Sequence, residues 1–86
     1  ESDALAIYQT IVLGPYFLSS TFLPLIGCSS HHPQIINIGS VASFSCCTPK
    51  GVIYPLSKSS VIHLTKFMAT ELNSIVVHCN CIAPGL

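Results

Sequence analysis

Residues 34–39 read Gln34-Ile35-Ile36-Asn37-Ile38-Gly39, and this stretch decides the fold. It is a short apolar run, rich in β-branched residues and bounded by Pro33 and Gly39. Such a run predicts a buried strand. A second strand is expected over residues 75–81, around Val76 and Val77, with Ala83-Pro84-Gly85 as the turn that ends it. Between the two, over about residues 54–73, Val61, Leu64, Thr65, Met68 and Leu72 fall on one stripe at helical spacing. Two strands joined by a helix are expected to be parallel, with a right-handed crossover. Such sheets are covered on both faces.

Upstream of the first strand, residues 3–26 read mostly as helix. Ser2 or Asp3 can cap its start. Apolar positions run nearly all round it, as expected of a helix packed on two sides. Pro15 should disturb it locally, because proline removes a backbone donor. Pro24 and Gly27 are expected to mark its end. Residues 27–33 and 40–52 read as loops. The order is helix, strand, helix, strand, which is an α/β class with no internal repeat.

The chain has 86 residues, below the usual domain size of roughly 100–150. One small core is possible and two domains are not. Apolar residues make up 50% of the chain and charged residues 7%, against about 25% charged in an average globular protein. A free-standing domain this small should be richer in charge than average. Most of the chain is therefore expected to sit inside something larger. The first residue, Glu1 rather than Met, suggests a fragment or a processed product.

The only basic residues are Lys50, Lys58 and Lys66, and the formal net charge is zero. No basic stripe exists to neutralise phosphates, so no nucleic-acid partner is expected. The five cysteines are Cys28, Cys46, Cys47, Cys79 and Cys81. Their number is odd and their spacing forms no disulfide framework or C-x-x-C pair. His31, His32, His63 and His78 could in principle complete a zinc site. The simpler reading is no metal, and reduced thiols acting as small apolar residues in a cytoplasmic protein.

Residues 4–27 carry no charge and are long enough to cross a bilayer. They also contain Gln9, Gly14, Pro15, Ser19, Ser20, Thr21 and Pro24, and no Lys or Arg flanks them. The basic start and cleavage site of a signal peptide are missing. A helix held between a sheet and a partner, with no membrane, is the expectation.

Tyr54-Pro55-Leu56-Ser57-Lys58 sets a phenol and an ammonium one helical turn apart, on one face. A nearby cation favours an ionised phenol and suits it to acid/base work near neutral pH. Alone this pattern is weak, since a surface Lys beside a half-buried Tyr gives the same letters. Ser40 adds context. A hydroxyl at the carboxyl end of a parallel strand sits where open α/β sheets bind ligands. It could donate to a carbonyl oxygen that gains negative charge. It could equally cap local backbone groups.

Taken together, these segments resemble a known family. Ile35-Ile36-Asn37-Ile38-Gly39-Ser40-Val41-Ala42-Ser43 resembles the strand and serine loop of short-chain dehydrogenases/reductases. Tyr54-x-x-x-Lys58, continuing through Ser59-Ser60-Val61 and Leu64-Thr65-Lys66, looks like the active-site helix of that family. Asn80-Cys81-Ile82-Ala83-Pro84-Gly85 resembles its N-x-I-x-P-G strand end, and Leu13-Gly14-Pro15-Tyr16-Phe17-Leu18 its preceding helix. Four ordered motifs span nearly the whole chain, and their joint match is far more specific than any one of them.

The resemblance implies a partial Rossmann-type, three-layer αβα fold over residues 1–86. It also implies an oxidoreductase that interconverts an alcohol and a ketone or 3-oxoacyl group with NAD(P)(H), NADP slightly favoured. By that resemblance Tyr54 protonates the carbonyl oxygen as hydride arrives. Lys58 assists Tyr54 and binds the nicotinamide ribose, Ser40 polarises the carbonyl, and Pro84 and Gly85 line the nicotinamide pocket. Homo-oligomers are expected of a full-length member, through the two helices.

Two departures stand out. The family's Asn three residues before the first helix glycine is here Ile11, which can neither donate nor accept. Gln9 is nearby but would point elsewhere. No G-x-x-x-G-x-G or G-x-G-x-x-G is present to hold a pyrophosphate. The chain alone is therefore expected to be inactive. The alternatives are a non-catalytic product that packs on a full-length relative and a small membrane-associated protein.

Overall fold

A computed structural model of the chain describes residues 2–28, 31–44 and 51–85. Helix α1 (Ser2–Tyr8) runs through a π-helical turn (Gln9–Leu13) into α2 (Gly14–Gly27). Strand β1 (Gln34–Ile38) follows, then a short 3₁₀ turn (Val41–Ser43), helix α3 (Ile53–Glu71), a second 3₁₀ turn (Asn73–Ile75) and strand β2 (His78–Ile82). The two strands pair in parallel, with Gln34 opposite His78 and Ile38 opposite Ile82. The expected helix-strand-helix-strand order is present.

The expected disturbance at Pro15 takes a definite form. Proline has no N–H to offer the carbonyl of Ile11 and its ring crowds the preceding turn. The chain widens just before it, and Gly14 N–H bonds the Gln9 carbonyl five residues back. The helix ends at Gly27, as expected, with Pro24 in its last turn. Pro55 fits the start of α3, because the first helical bond there is donated by Leu56 N–H to the Val52 carbonyl at 3.0 Å.

The second strand starts later than expected. Ile75 closes a 3₁₀ turn and Val76 adopts a left-handed conformation, φ 57° and ψ 40°. There Val77 N–H turns back to the Leu72 carbonyl at 3.2 Å. The reversal from helix to strand uses up the two β-branched residues that look like strand in the sequence.

Strand β1 alternates strictly, with Ile35 and Asn37 buried and Gln34, Ile36 and Ile38 exposed. The buried side meets α3. Ile35, Met68, Val77 and Cys79 form the core, with Ile26, Leu64 and Leu72 packed against it. The expected α3 stripe is therefore the one that faces the sheet. The other sheet face carries Ile36, Ile38 and Ile82 at 53%, 54% and 53% exposure. Among the described residues no helix covers that face. Nor are α1 and α2 packed on two sides, since Val12 is the one buried residue along them.

The radius of gyration is 14.0 Å, above the roughly 12 Å of a compact chain this long. The helix over Ser2–Gly27 is long and apolar enough to cross a membrane, with mean hydropathy 1.4. Its outer surface presents Leu5, Phe17, Leu18, Phe22 and Leu25.

Candidate active site

Both parallel strands end at the same edge of the sheet, and the chain leaving each is tied to the other. Gly39 N–H donates to the Ile82 carbonyl at 2.7 Å, and Val41 N–H to the Pro84 carbonyl at 3.0 Å. Ser40 lies between these two bonds in extended backbone, φ −164° and ψ 157°. Glycine at 39 permits the close approach: a Cβ there would lie 3.0 Å from Cys81 Sγ. Ser40 and the Pro84-Gly85 turn are thus brought side by side by backbone pairing.

Ser40 Oγ accepts from Ala42 N–H at 3.1 Å, capping the short 3₁₀ turn. The capping role open to it in the sequence is realised. That bond uses an oxygen lone pair and not the hydroxyl proton. Ser40 can therefore cap and still donate.

Helix α3 places Tyr54 and Lys58 on one face, in its first two turns. Tyr54 is half-buried. Lys58 Nζ lies 5.9 Å from the centroid of its ring. The ammonium donates to the Ile38 carbonyl at 3.1 Å, at the end of the strand that leads into Ser40. Two further bonds clamp the serine loop to this helix. Ser43 Oγ donates to the Lys58 carbonyl at 2.9 Å, and Ser59 Oγ donates to the Ser43 carbonyl at 2.7 Å. Ser57, one residue before Lys58, is fully buried and its hydroxyl has no hydrogen-bond partner among the described residues.

The Ser43–Ser59 clamp was not singled out from the sequence. No spacing rule marks two serines on separate elements as partners. Ile11 falls within the π-helical turn. It lines an open groove of about 720 Å³ together with Thr10, Gly14, Ile38 and Lys58. Ile11 and Lys58 thus share one groove, and Ile11 brings an aliphatic side chain to it. Gln9 is exposed at the start of the π turn. Neither Ser40 nor Tyr54 lines that groove.

The donor set fits the nicotinamide end of a dinucleotide. Lys58 has three N–H donors and gives one to Ile38, leaving two for ribose hydroxyls. The loop segment that includes Cys46, Cys47 and Lys50, and Leu86, lies outside the described residues. Among the described residues no three metal-binding side chains come together, and Cys28, Cys79 and Cys81 are free thiols.

Comparison with known proteins places this arrangement. The short chain dehydrogenase family model matches residues 1–86. The chain is 40% identical over 70 residues to Dehydrogenase/reductase SDR family member 6 of Xenopus laevis, covering 81% of this chain and 28% of that protein. It superposes with a TM-score of 0.91 on the Pseudomonas aeruginosa RhlG/NADP active-site complex, at 31% identity, covering 99% of this chain and 34% of that one. A 4-hydroxyisoleucine dehydrogenase complexed with NADH aligns with a TM-score of 0.81 at 30% identity, covering 92% of this chain and 34% of that one. The chain thus spans about a third of the length of the proteins it matches. These solved neighbours have the Rossmann-like fold, of which this chain shows helices and two parallel strands.

Proposed function

The chain belongs to the short-chain dehydrogenase family, and on that premise we propose that it supplies the proton-transfer part of a site interconverting an alcohol with a ketone or 3-oxoacyl group. The observation that carries this reading is the bond from Lys58 to the Ile38 carbonyl. It ties the helix that bears Tyr54 to the strand that leads into Ser40. Pro84 and Gly85 would line the pocket of a nicotinamide, which when bound would supply or take up the hydride.

In the reducing direction, Ser40 donates a hydrogen bond to the carbonyl oxygen and holds it as negative charge develops there. Tyr54 gives that oxygen its phenolic proton, so the alcohol leaves neutral. The phenolate left behind is balanced by the Lys58 ammonium one helical turn away, and solvent returns its proton. With its remaining donors, Lys58 holds ribose hydroxyls. Oxidation of an alcohol runs the same steps backwards.

The cofactor is NAD(P)(H), with NADP slightly favoured. The RhlG complex, which gives the higher of the two TM-scores above, is an NADP complex. The substrate is a small carbonyl compound or its alcohol. The free thiols support a cytoplasmic setting, and the polar and proline positions Gln9, Pro15, Ser19, Ser20, Thr21 and Pro24, with no flanking Lys or Arg, support packing of α1 and α2 on protein rather than in a membrane. Carbonate extraction of the expressed chain separates the two, and retention in the membrane fraction would contradict the second statement. A full-length product is expected to form homo-oligomers through the exposed apolar surface of α1 and α2.

The test is consumption of NADPH and NADH by the full-length gene product. The panel holds 3-oxoacyl thioesters, steroid ketones, sugars and small ketones. Turnover of at least one is expected; no turnover with any, in a folded protein that binds the cofactor, would sink the reading. The same exposed helical surface favours one other role, a non-catalytic product packed on a complete relative. Co-purification of the 86-residue chain with a full-length homologue would support that role.

A further inference from the structure

We infer that Asn37 and Thr65 are positioning residues for this site, setting the register of helix α3 on strand β1. The inference rests on the function proposed above. Asn37 Nδ2 donates to Thr65 Oγ1 at 2.9 Å, and both residues are buried. The Thr65 hydroxyl proton is already committed, since Thr65 Oγ1 donates to the Val61 carbonyl at 2.8 Å. Its oxygen can therefore only accept, which fixes the Asn37 amide with its nitrogen toward the helix. The same nitrogen points at Cys79 Sγ on the neighbouring strand, 3.9 Å away.

The rest of the buried strand–helix contact is apolar: Ile35 and Cys79 against Met68, Leu64 and Leu72. Apolar contacts are non-directional and tolerate small slides. A buried hydrogen bond with one geometry does not. Asn37 stands three residues before Ser40, and Thr65 two helical turns beyond Lys58 on the same face. The bond thus sets where the ammonium and phenol of α3 stand along β1. The Lys58–Ile38, Ser43–Lys58 and Ser59–Ser43 bonds are at least partly exposed and follow from that setting.

The test compares Thr65→Val with Thr65→Ser in the full-length product. Valine keeps the volume and removes the acceptor, whereas serine keeps the acceptor. Thr65→Val should lower kcat about tenfold to a hundredfold through misplacement of the reacting groups, with KM changed by less than about twofold. Thr65→Ser should restore kcat to within about threefold of the parent. A crystal structure of Thr65→Val should show the Lys58–Ile38 bond broken, and one of Thr65→Ser should show it kept. An unchanged kcat in a Thr65→Val protein that merely melts earlier would overturn the inference. So would a Thr65→Ser variant as defective as Thr65→Val. If the parent transfers no hydride, the proposed function fails and the structures decide alone: a Lys58–Ile38 bond intact in Thr65→Val overturns the positioning role. Should Thr65→Val not fold, Thr65→Cys takes its place, with a smaller loss in the same direction.

Discussion

Lys58 Nζ donates to the backbone carbonyl of Ile38 at 3.1 Å, two residues before Ser40. A lysine with a flexible four-carbon stem is thereby fixed in space by the strand it faces, while its ammonium stays 5.9 Å from the Tyr54 ring centroid. The positive charge is held by geometry rather than left to wander in solvent. Replacement should therefore be felt even where charge is conserved. Lys58→Met in the full-length product is expected to lower kcat/KM by roughly a hundredfold or more. Lys58→Arg should recover only part of the loss, because a planar guanidinium cannot reproduce the point contact to Ile38. Steady-state kinetics check both, and full activity in Lys58→Arg would mean that charge alone suffices.

The 86-residue chain by itself should not melt cooperatively. Among the described residues its sheet has two strands, and Ile36, Ile38 and Ile82 on one face lie more than half exposed. Two paired strands are marginal in water without more cover, and open edges invite aggregation. Dye binding with lost near-UV signal, and no thermal shift on adding NADPH or NADH, are the expected observations. A single sharp transition raised by either nucleotide would refute this.

Val76 is a β-branched residue in left-handed conformation, 66% exposed, at the turn from α3 to β2. That conformation costs an L-residue about 1–2 kcal/mol, and glycine returns about half of the gain as chain entropy. Val76→Gly should raise the stability of the full-length product by roughly 0.5–1 kcal/mol. Val76→Asn should act in the same direction. Urea unfolding measures it, and a loss on either substitution would show that the valine side chain does something the turn geometry does not reveal.

Burial raises the Cys79 thiol above the usual thiol range, and the neighbouring Cys81 pushes it further the same way. The folded protein therefore keeps the Cys79 proton to higher pH than the unfolded chain does. The associated stability is complete below the unfolded value and is lost as pH rises toward the folded one. The alkaline decline in stability of the full-length product should flatten in Cys79→Val. Alkylation should also reach exposed Cys28 well before Cys79. Equal labelling rates in the native protein would contradict this.

Much of this was legible in the sequence. The run Gln34–Ile38 announced a strand because its flanking proline and glycine bounded an isoleucine-rich core, and the α3 stripe announced a face because Val61, Thr65 and Met68 repeat at helical spacing. The Tyr54 and Lys58 face followed from the same periodicity. Other features were not legible, for reasons that can be named. Val76 looks like strand because valine favours strands, yet the helix had to be closed there. The Asn37–Thr65 bond and the Ser43–Ser59 clamp depend on tertiary contact between segments far apart in the chain. No local pattern encodes such contacts.

Tyr54 is proposed to deliver the proton in a nicotinamide-dependent carbonyl reduction. The most direct test is single-turnover hydride transfer in the full-length product and its Tyr54→Phe variant, with cofactor binding measured alongside. Phenylalanine keeps the ring and removes only the proton donor. Cofactor affinity is expected within about threefold of the parent, with hydride transfer slowed by roughly a hundredfold to ten-thousandfold. Hydride transfer at the parental rate in Tyr54→Phe would contradict it.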